Sequence, residues 1–161
     1  MTIKDYNKAV EDNSNGIYRF ILKNIKDKDR ARDLVQDTFE KCWIKRETVD
    51  AAKVKSYLFS TAYHTMIDMI RKESRMTNFD EIRNDNLAHS TQYSDLNEIL
   101  HKAIMLLPET QRSVILLRDY EGYSYDEIAE ITGLSESQVK VYIYRGRIFL
   151  KNYIGSPEKV L

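Results

Sequence analysis

Apolar residues recur at three- and four-residue intervals along most of this chain, the spacing of amphipathic helices. Residues 3–12 predict a short first helix. Asn13 to Gly16 interrupts it, and Ser14 is placed to cap a second helix carrying Ile17, Tyr18, Phe20, Ile21 and Ile25. Asp27 or Asp29 opens a third, with Ala31, Leu34, Val35, Thr38, Phe39, Cys42 and Trp43 as its apolar positions. A fourth runs over about 54–75, striped by Val54, Leu58, Ala62, Met66 and Ile70, with Phe59 and Met69 beside the stripe. The periodicity then fades through a polar, acidic stretch rich in Asn, Asp, Ser and Thr, read as a linker over 77–93. A loop inside one domain is the alternative, but so long a structureless loop is uncommon in a compact domain.

The pattern resumes with Ser94 as cap and Leu96, Ile99, Leu100, Ala103, Ile104 and Leu107 apolar. Pro108 suits the first position of the next helix, where a missing N–H costs nothing, and that helix stops at Gly122. Ser124 with Glu127, and Ser135 with Gln138, have capping-box spacing for two more helices, the last reaching about residue 153. The expectation is an all-α protein of two small helical domains, 1–76 and 94–155, joined by an acidic flexible linker and followed by a tail, 156–161.

Within the second domain, YDEIAEITGLSESQVKVYIY (125–144) reads as a helix-turn-helix. Ala129 sits where two helices approach, Gly133 sits in the turn, and Val139 lies on the inner side of the second helix. Ile128, Ile131, Leu134 and Ile143 supply further apolar contacts. Such a unit holds its second helix out for a DNA major groove.

Composition sharpens this picture only locally. Lys and Arg number 25 against 25 Asp and Glu, so the net charge is zero. Its distribution is uneven. Residues 51–79 carry Lys53, Lys55, Arg71, Lys72 and Arg75 against Asp68 and Glu73. Residues 80–99 carry Arg83 alone against Asp80, Glu81, Asp85, Asp95 and Glu98. Residues 136–161 carry Lys140, Arg145, Arg147, Lys151 and Lys159 against Glu136 and Glu158. Phosphate attraction is screened over roughly 8–10 Å, so two basic blocks matter more than the zero sum. The single cysteine, Cys42, excludes an intrachain disulfide and a cysteine-based metal site, and His64, His89 and His101 lack ligand spacing. No phosphate loop or nucleophile–base pair stands out, so neither an enzyme nor a cofactor is expected. The first residues lack an apolar signal core and no apolar run has membrane-spanning length, which predicts a cytoplasmic protein without membrane insertion.

Two segments carry a family resemblance. LLPETQRSVILLRDYEGYSYDEIAEITGLSESQVKVYIYRGRIFL resembles the promoter −35-binding region 4 of bacterial sigma factors, most nearly the extracytoplasmic-function (ECF) type. The matching pattern is Leu107-Pro108, Gln111-Arg112, the apolar run Val114 to Leu117, Glu121-Gly122, Ser124-Tyr125, Glu127 to Ala129, Gly133, Val139-Lys140, and Arg145 with Arg147. ARDLVQDTFEKCW (31–43) is similar to region 2, with Asp33, Gln36 and Asp37 as its acidic–Gln–acidic core and Phe39 and Trp43 at its aromatic positions. YLFSTAYHTMIDMIRK resembles the promoter-facing helix of the same region through Leu58, Ala62, Asp68 and Arg71.

The resemblance implies a sigma factor that binds RNA polymerase core and directs initiation at promoter DNA, with an anti-sigma factor as a further partner. Asp33, Gln36 and Asp37 share one helix face, extended by Glu40. The residues alone fit an ordinary solvated acidic face; the resemblance makes them the contact for the polymerase β′ clamp helices, with the β flap a second contact of the chain. For the −10 element the candidates are Lys53, Lys55, Ser56, Tyr57, Tyr63, His64, Arg71, Lys72 and Arg75. Cations suit the backbone of an opened strand and planar groups suit its bases. Tyr57 fits core packing equally well, and His64 and Tyr63 replace the usual Asn and Arg of the family. For the −35 element, Glu136, Ser137, Gln138, Lys140, Val141, Tyr144, Arg145 and Arg147 lie on or flank the groove-entering helix. Gln138 is suited to adenine and Lys140 to guanine. Arg112 and Arg118 are candidates for phosphates or for a plain surface role. Val141-Tyr142 stands where the family often has Ser-Arg. A helix-turn-helix regulator acting without core polymerase, or a sigma-like protein-binding module, are the alternative readings.

Overall fold

The computed structural model describes residues 1–77 and 96–155 of the 161. Their regular structure is helical throughout: α1 (Ile3–Ile25), α2 (Lys28–Ile44), a 3₁₀ turn (Ala51–Lys53), α3 (Val54–Thr77), α4 (Leu96–Leu106), α5 (Glu109–Ile115), α6 (Tyr125–Thr132) and α7 (Glu136–Ile154). The linker expected over 77–93 and the cap expected at Ser94 fall almost wholly outside the described residues, as does the tail.

The first helix is one element where two are expected. Asn13 and Ser14 do not break it, because each side chain donates back to the carbonyl four residues earlier, Asn13 to Ala9 at 2.9 Å and Ser14 to Val10. Ala9, Asn13, Ile17, Phe20, Ile21 and Asn24 therefore form one buried stripe across the polar cluster. Thr2 caps it with a reciprocal bond to Asp5, and Lys26 ends it in the left-handed conformation at φ 54°. Asp27, of the two candidates, opens α2 by accepting from the Arg30 N–H.

The long helix α3 packs against α1, α2 and α6. Leu58, Ala62 and Met66 are fully buried, as the stripe predicts. Phe59, Tyr63 and Ile67 are buried as well, giving the helix a second apolar stripe one residue over. Phe59 touches both halves: its ring lies 5.9 Å from Phe20 on α1 and 5.3 Å from Tyr123 before α6.

Pro108 sits one residue outside α5 as its cap, with extended ψ of 149°. The helix runs on into a π-helical turn, Leu116–Tyr120, closed by the Glu121 N–H on the Leu116 carbonyl at 3.0 Å. Gly122, at φ 79°, then reverses the chain. Helix α7 packs on α4, α5 and α6. Gly146 permits the approach, since a Cβ there would meet Ile115 Cδ1 at 2.9 Å.

The helices before and after the acidic stretch lie against each other, and their buried side chains form one continuous apolar cluster. Polar bonds frame it. Arg19 makes a bidentate pair with Glu121, at 2.9 and 2.8 Å. Asn24 Oδ1 accepts from Arg112 Nε at 3.3 Å and from the Ser113 hydroxyl at 3.1 Å, while its amide donates to the Phe20 carbonyl. Arg71 Nε donates to Glu109 at 3.2 Å.

Candidate nucleic-acid interface

The helix-turn-helix forms from local chemistry. Ser124 and Glu127 exchange bonds at the start of α6, at 2.8 and 3.2 Å. Ser135 and Gln138 repeat the arrangement at the start of α7, at 3.0 and 3.1 Å. Between them Gly133 takes φ 80°, and its N–H reaches the Ala129 carbonyl at 2.8 Å. The Thr132 hydroxyl donates to the Ile128 carbonyl and accepts from the Leu134 N–H, tying the turn to α6. Ile128, Ile131, Val139 and Ile143 are buried and Leu134 is half-buried, so α7 is held by one stripe only.

The opposite face of α7 is open. Glu136, Ser137, Gln138, Lys140, Val141, Tyr144, Arg145 and Arg147 are all exposed, Tyr144 to 67%. Their availability differs. Lys140 pairs loosely with Glu136 at 3.4 Å, one turn back. Gln138 is not free for a bidentate adenine contact, because its Oε1 caps α7; only its amide nitrogen remains for a base. Arg147 is bidentate to Asp119, which raises its pKa and directs it to the protein rather than to phosphate.

The two flanking arginines depart from the phosphate role. Arg112 is 7% exposed. Its Nη1 holds the Met105 and Leu107 carbonyls at 3.2 Å, and its Nε binds Asn24. The reason is the α4–α5 turn, whose orphan carbonyls need a donor inside. Arg118 donates to the Tyr123 carbonyl at 2.9 Å and lies over the Tyr125 ring at 4.5 Å.

On α3 the residues proposed for the −10 strand separate into open and covered sets. Lys53, Lys55, Lys72 and Arg75 are exposed. Lys55 lies 5.3 Å above the Tyr123 ring. Ser56 and half-buried Tyr57 line a cavity of about 360 Å³ with Lys53 and Ser60, and Glu130 of α6 forms part of its wall. Tyr63 is not an accessible contact in this arrangement: it is 4% exposed, its hydroxyl bonds Thr110, and burial pushes its pKa up. His64 is exposed, with Nδ1 2.8 Å from the Ser60 carbonyl, and Gly133 lies beside the ring. Arg71 is held by Glu109. Tyr63 and Arg71 are occupied because α3 faces α5 and α6 where the sequence places DNA.

The acidic row of α2 differs from both. Asp33, Gln36, Asp37 and Glu40 are all exposed, and no cation pairs with them among the described residues. Ala31, Leu34, Thr38, Phe39 and Cys42 take the buried side of the same helix. Sequence reasoning missed Asn24, Glu121 and Glu130. An Asn inside an apolar stripe is a readable signal for the first; the other two depend on how the halves pack.

An all-helical fold with a capped helix-turn-helix presenting an open, cationic second helix defines a helix-turn-helix protein of the nucleic-acid-binding kind. Comparison with known proteins makes this particular. The family model described as sigma-70 region 2 matches residues 9–76, and the one described as sigma-70, region 4 matches residues 97–150. The ECF RNA polymerase sigma factor SigM of Bacillus subtilis is 32% identical over 142 residues, 85% of this chain and 87% of that protein. RNA polymerase sigma factor SigV of the same organism is 31% identical over 138 residues, 85% and 83% of the two chains. The sigma factor RpoE of Bartonella quintana, solved in complex with the anti-sigma factor NepR, aligns with TM-score 0.79 and 26% identity over 94% of this chain and 98% of that one. The chain belongs to the ECF group of the sigma-70 family of RNA polymerase sigma factors.

Proposed function

We infer that this chain is a promoter-specific initiation factor: it binds RNA polymerase core and directs it to promoter DNA, without catalysis of its own. The observation that carries the reading is the pairing of a region 2 match with a region 4 match, in that order, over nearly all the described residues. An anti-sigma factor is a further partner, as for the RpoE–NepR relative. No helix among the described residues is long and apolar enough to cross a membrane, and action on polymerase assigns the chain to the cytoplasm.

The residue roles follow from chemistry. Asp33, Gln36, Asp37 and Glu40 form the core-polymerase face, their carboxylates meeting Arg or Lys of the β′ clamp helices. Exposure without internal partners supports this, since a carboxylate already paired has less to gain from a new cation. Lys140, Val141, Tyr144 and Arg145 form the −35 face, the first residues toward base edges and Arg145 toward phosphate. Lys53, Ser56 and Tyr57 form the −10 site, whose cavity has room for an unstacked base beside a lysine. The regions of 1–76 and 94–155 then act as two weak DNA-binding units whose linkage raises the effective concentration of the second.

Run-off transcription with purified core enzyme and a genomic promoter library tests the reading. Specific transcripts that appear only when this chain is added are expected. A folded chain that shifts DNA equally well without core, and yields no specific transcript with it, would return the reading to a stand-alone regulator.

A further inference from the structure

We propose that a lysine-rimmed cavity between α1, α4 and the π-helical turn binds a free single-chain amphiphile with an anionic head, the chemistry of a medium-chain carboxylate. The cavity holds about 310 Å³, at the lower end of the range for small-molecule sites, about 300–1,000 Å³. Leu22 of α1, Ile104 of α4 and Leu116 of the π-helical turn form its apolar floor. Lys23, Lys26 and Lys28 stand around it, with His101. The lining is almost wholly apolar, because lysines present methylene stems to such a surface and keep their charged ends toward water. None of these residues belongs to the faces assigned to polymerase or DNA.

Local pairing does not account for the cations. Among the described residues, none of the three lysines makes an ion pair. The carboxylates next to them in sequence are engaged: Asp27 accepts the Arg30 N–H, and Asp29 pairs with Arg32 at 3.0 Å. Glu121, which faces Lys23, takes both forks of Arg19. The Lys23 ammonium lies over the Tyr120 ring instead, 4.0 Å from its centroid. Partial burial pushes the pKa of Lys23 and Lys26 down; Glu121 and Glu98 act against this, Arg19 and Lys102 with it. An anion at the mouth favours the charged form of both lysines. The negative end of α1 suits Lys23 and Lys26, but Lys28 is the first residue of α2, where the helix dipole opposes a cation.

Two departures from regular backbone meet at the same place. Lys26 ends α1 in the left-handed region at φ 54°, which no other non-glycine residue adopts among those described. Glycine holds that conformation without strain, so a lysine side chain is kept there against local stability. The π-helical turn begins at Leu116, a floor residue, and carries Tyr120 under Lys23. One feature thus sets a cation at the mouth and the other shapes the floor. The aliphatic floor accepts a hydrocarbon chain, and the rim selects a negative head over a neutral or positive one.

The test is isothermal titration of the full chain with decanoate below its micelle concentration. Saturable binding at one site is expected, weaker by about fourfold for each methylene removed from the probe. Decyltrimethylammonium, with the same chain and the opposite charge, is expected not to bind. Lys23→Gln combined with Lys26→Gln is expected to weaken decanoate binding by about tenfold. Lys26→Gly separates the site from the scaffold. It is expected to raise the melting temperature by about 2–4 °C, because glycine fits φ 54°, and yet to weaken decanoate binding by about threefold. A gain in stability with a loss of affinity is not what damage to the fold produces. Absence of saturable decanoate binding, equal binding of the cationic amphiphile, or full affinity in either variant overturns the proposal. Sedimentation with phosphatidylglycerol vesicles separates a membrane lipid from a free amphiphile: co-sedimentation without decanoate binding overturns it as well.

Discussion

Helices α3 and α7 are both read from sequence as DNA-facing, yet they are buried to different degrees. Helix α7 buries one stripe, Val139, Ile143, Gly146 and Leu150, and leaves the rest of its surface open. Helix α3 buries two, the predicted Leu58–Ala62–Met66 line and a second through Phe59, Tyr63 and Ile67. The single stripe of α7 meets α4, α5 and α6 on one side and leaves its back free. Two adjacent stripes make α3 pack over a wider arc, so its exposed polar residues, Lys55, His64 and Lys72 among them, lie on the narrower side that remains. The difference separates a reading surface that is always presented from one that depends on how the halves sit.

The sharpest way to break the comparison is at the arginines. Arg112→Ala, in the buried contact, should lower stability by about 3 kcal/mol in urea denaturation, because it takes their donor from the Met105 and Leu107 carbonyls and leaves Asn24 Oδ1 with Ser113 alone. Arg145→Ala on α7 should change stability by no more than about 0.5 kcal/mol while weakening promoter binding by the holoenzyme. If Arg112→Ala is as stable as wild type and loses DNA instead, the buried role is wrong. Next in size, Gly133→Ala should cost about 1 kcal/mol, since only glycine holds φ 80° without strain, and should perturb α7 more than α3 by hydrogen exchange.

Tyr63→Phe should cost about 1 kcal/mol through its lost bond to Thr110, whereas Tyr144→Phe should be neutral for stability. Equal effects would erase the contrast between the two helices. The smallest effect is one of pH. Burial works against ionisation of Glu109, but its own backbone N–H, the Arg71 hydrogen bond and the charges of Arg71 and Arg112 hold its pKa below the usual carboxylate range. A lowered folded pKa adds stability above the ordinary value that is lost as pH falls through the folded one. Acidification through that range should therefore loosen the α3–α5 contact, and Glu109→Gln should remove that part of the pH dependence.

Much of this was legible in the residues. The spacing of Ser124–Glu127, Gly133 and Ser135–Gln138 specifies caps and a left-handed turn, and each forms as the local chemistry requires. The exposed row on α2 follows from its inner stripe. The break at Asn13–Gly16 misleads because composition marks a loop while geometry lets Asn13 and Ser14 bond back within the helix. The continuing four-residue spacing from Ala9 through Asn13 to Ile17 was the better guide. The sequence points Tyr63 to DNA and Arg112 to phosphate or a plain surface role, because a tyrosine or arginine has the same letter whether it meets a phosphate or a buried carbonyl. Only long-range packing decides between them, and the partner groups lie 47 and 88 residues away, at Thr110 and Asn24. The π-helical turn at Leu116–Tyr120 has no local marker in the apolar run that precedes it.

The central claim is that the open face of α2 meets polymerase while the open face of α7 meets DNA. The most direct measurement is equilibrium affinity for core enzyme in the absence of DNA, for wild type, for Asp33→Ala with Asp37→Ala, and for Arg145→Ala. The account predicts at least a tenfold loss of core affinity, about 1.4 kcal/mol, for the α2 pair and none for Arg145→Ala. Equal core affinity for all three would contradict it.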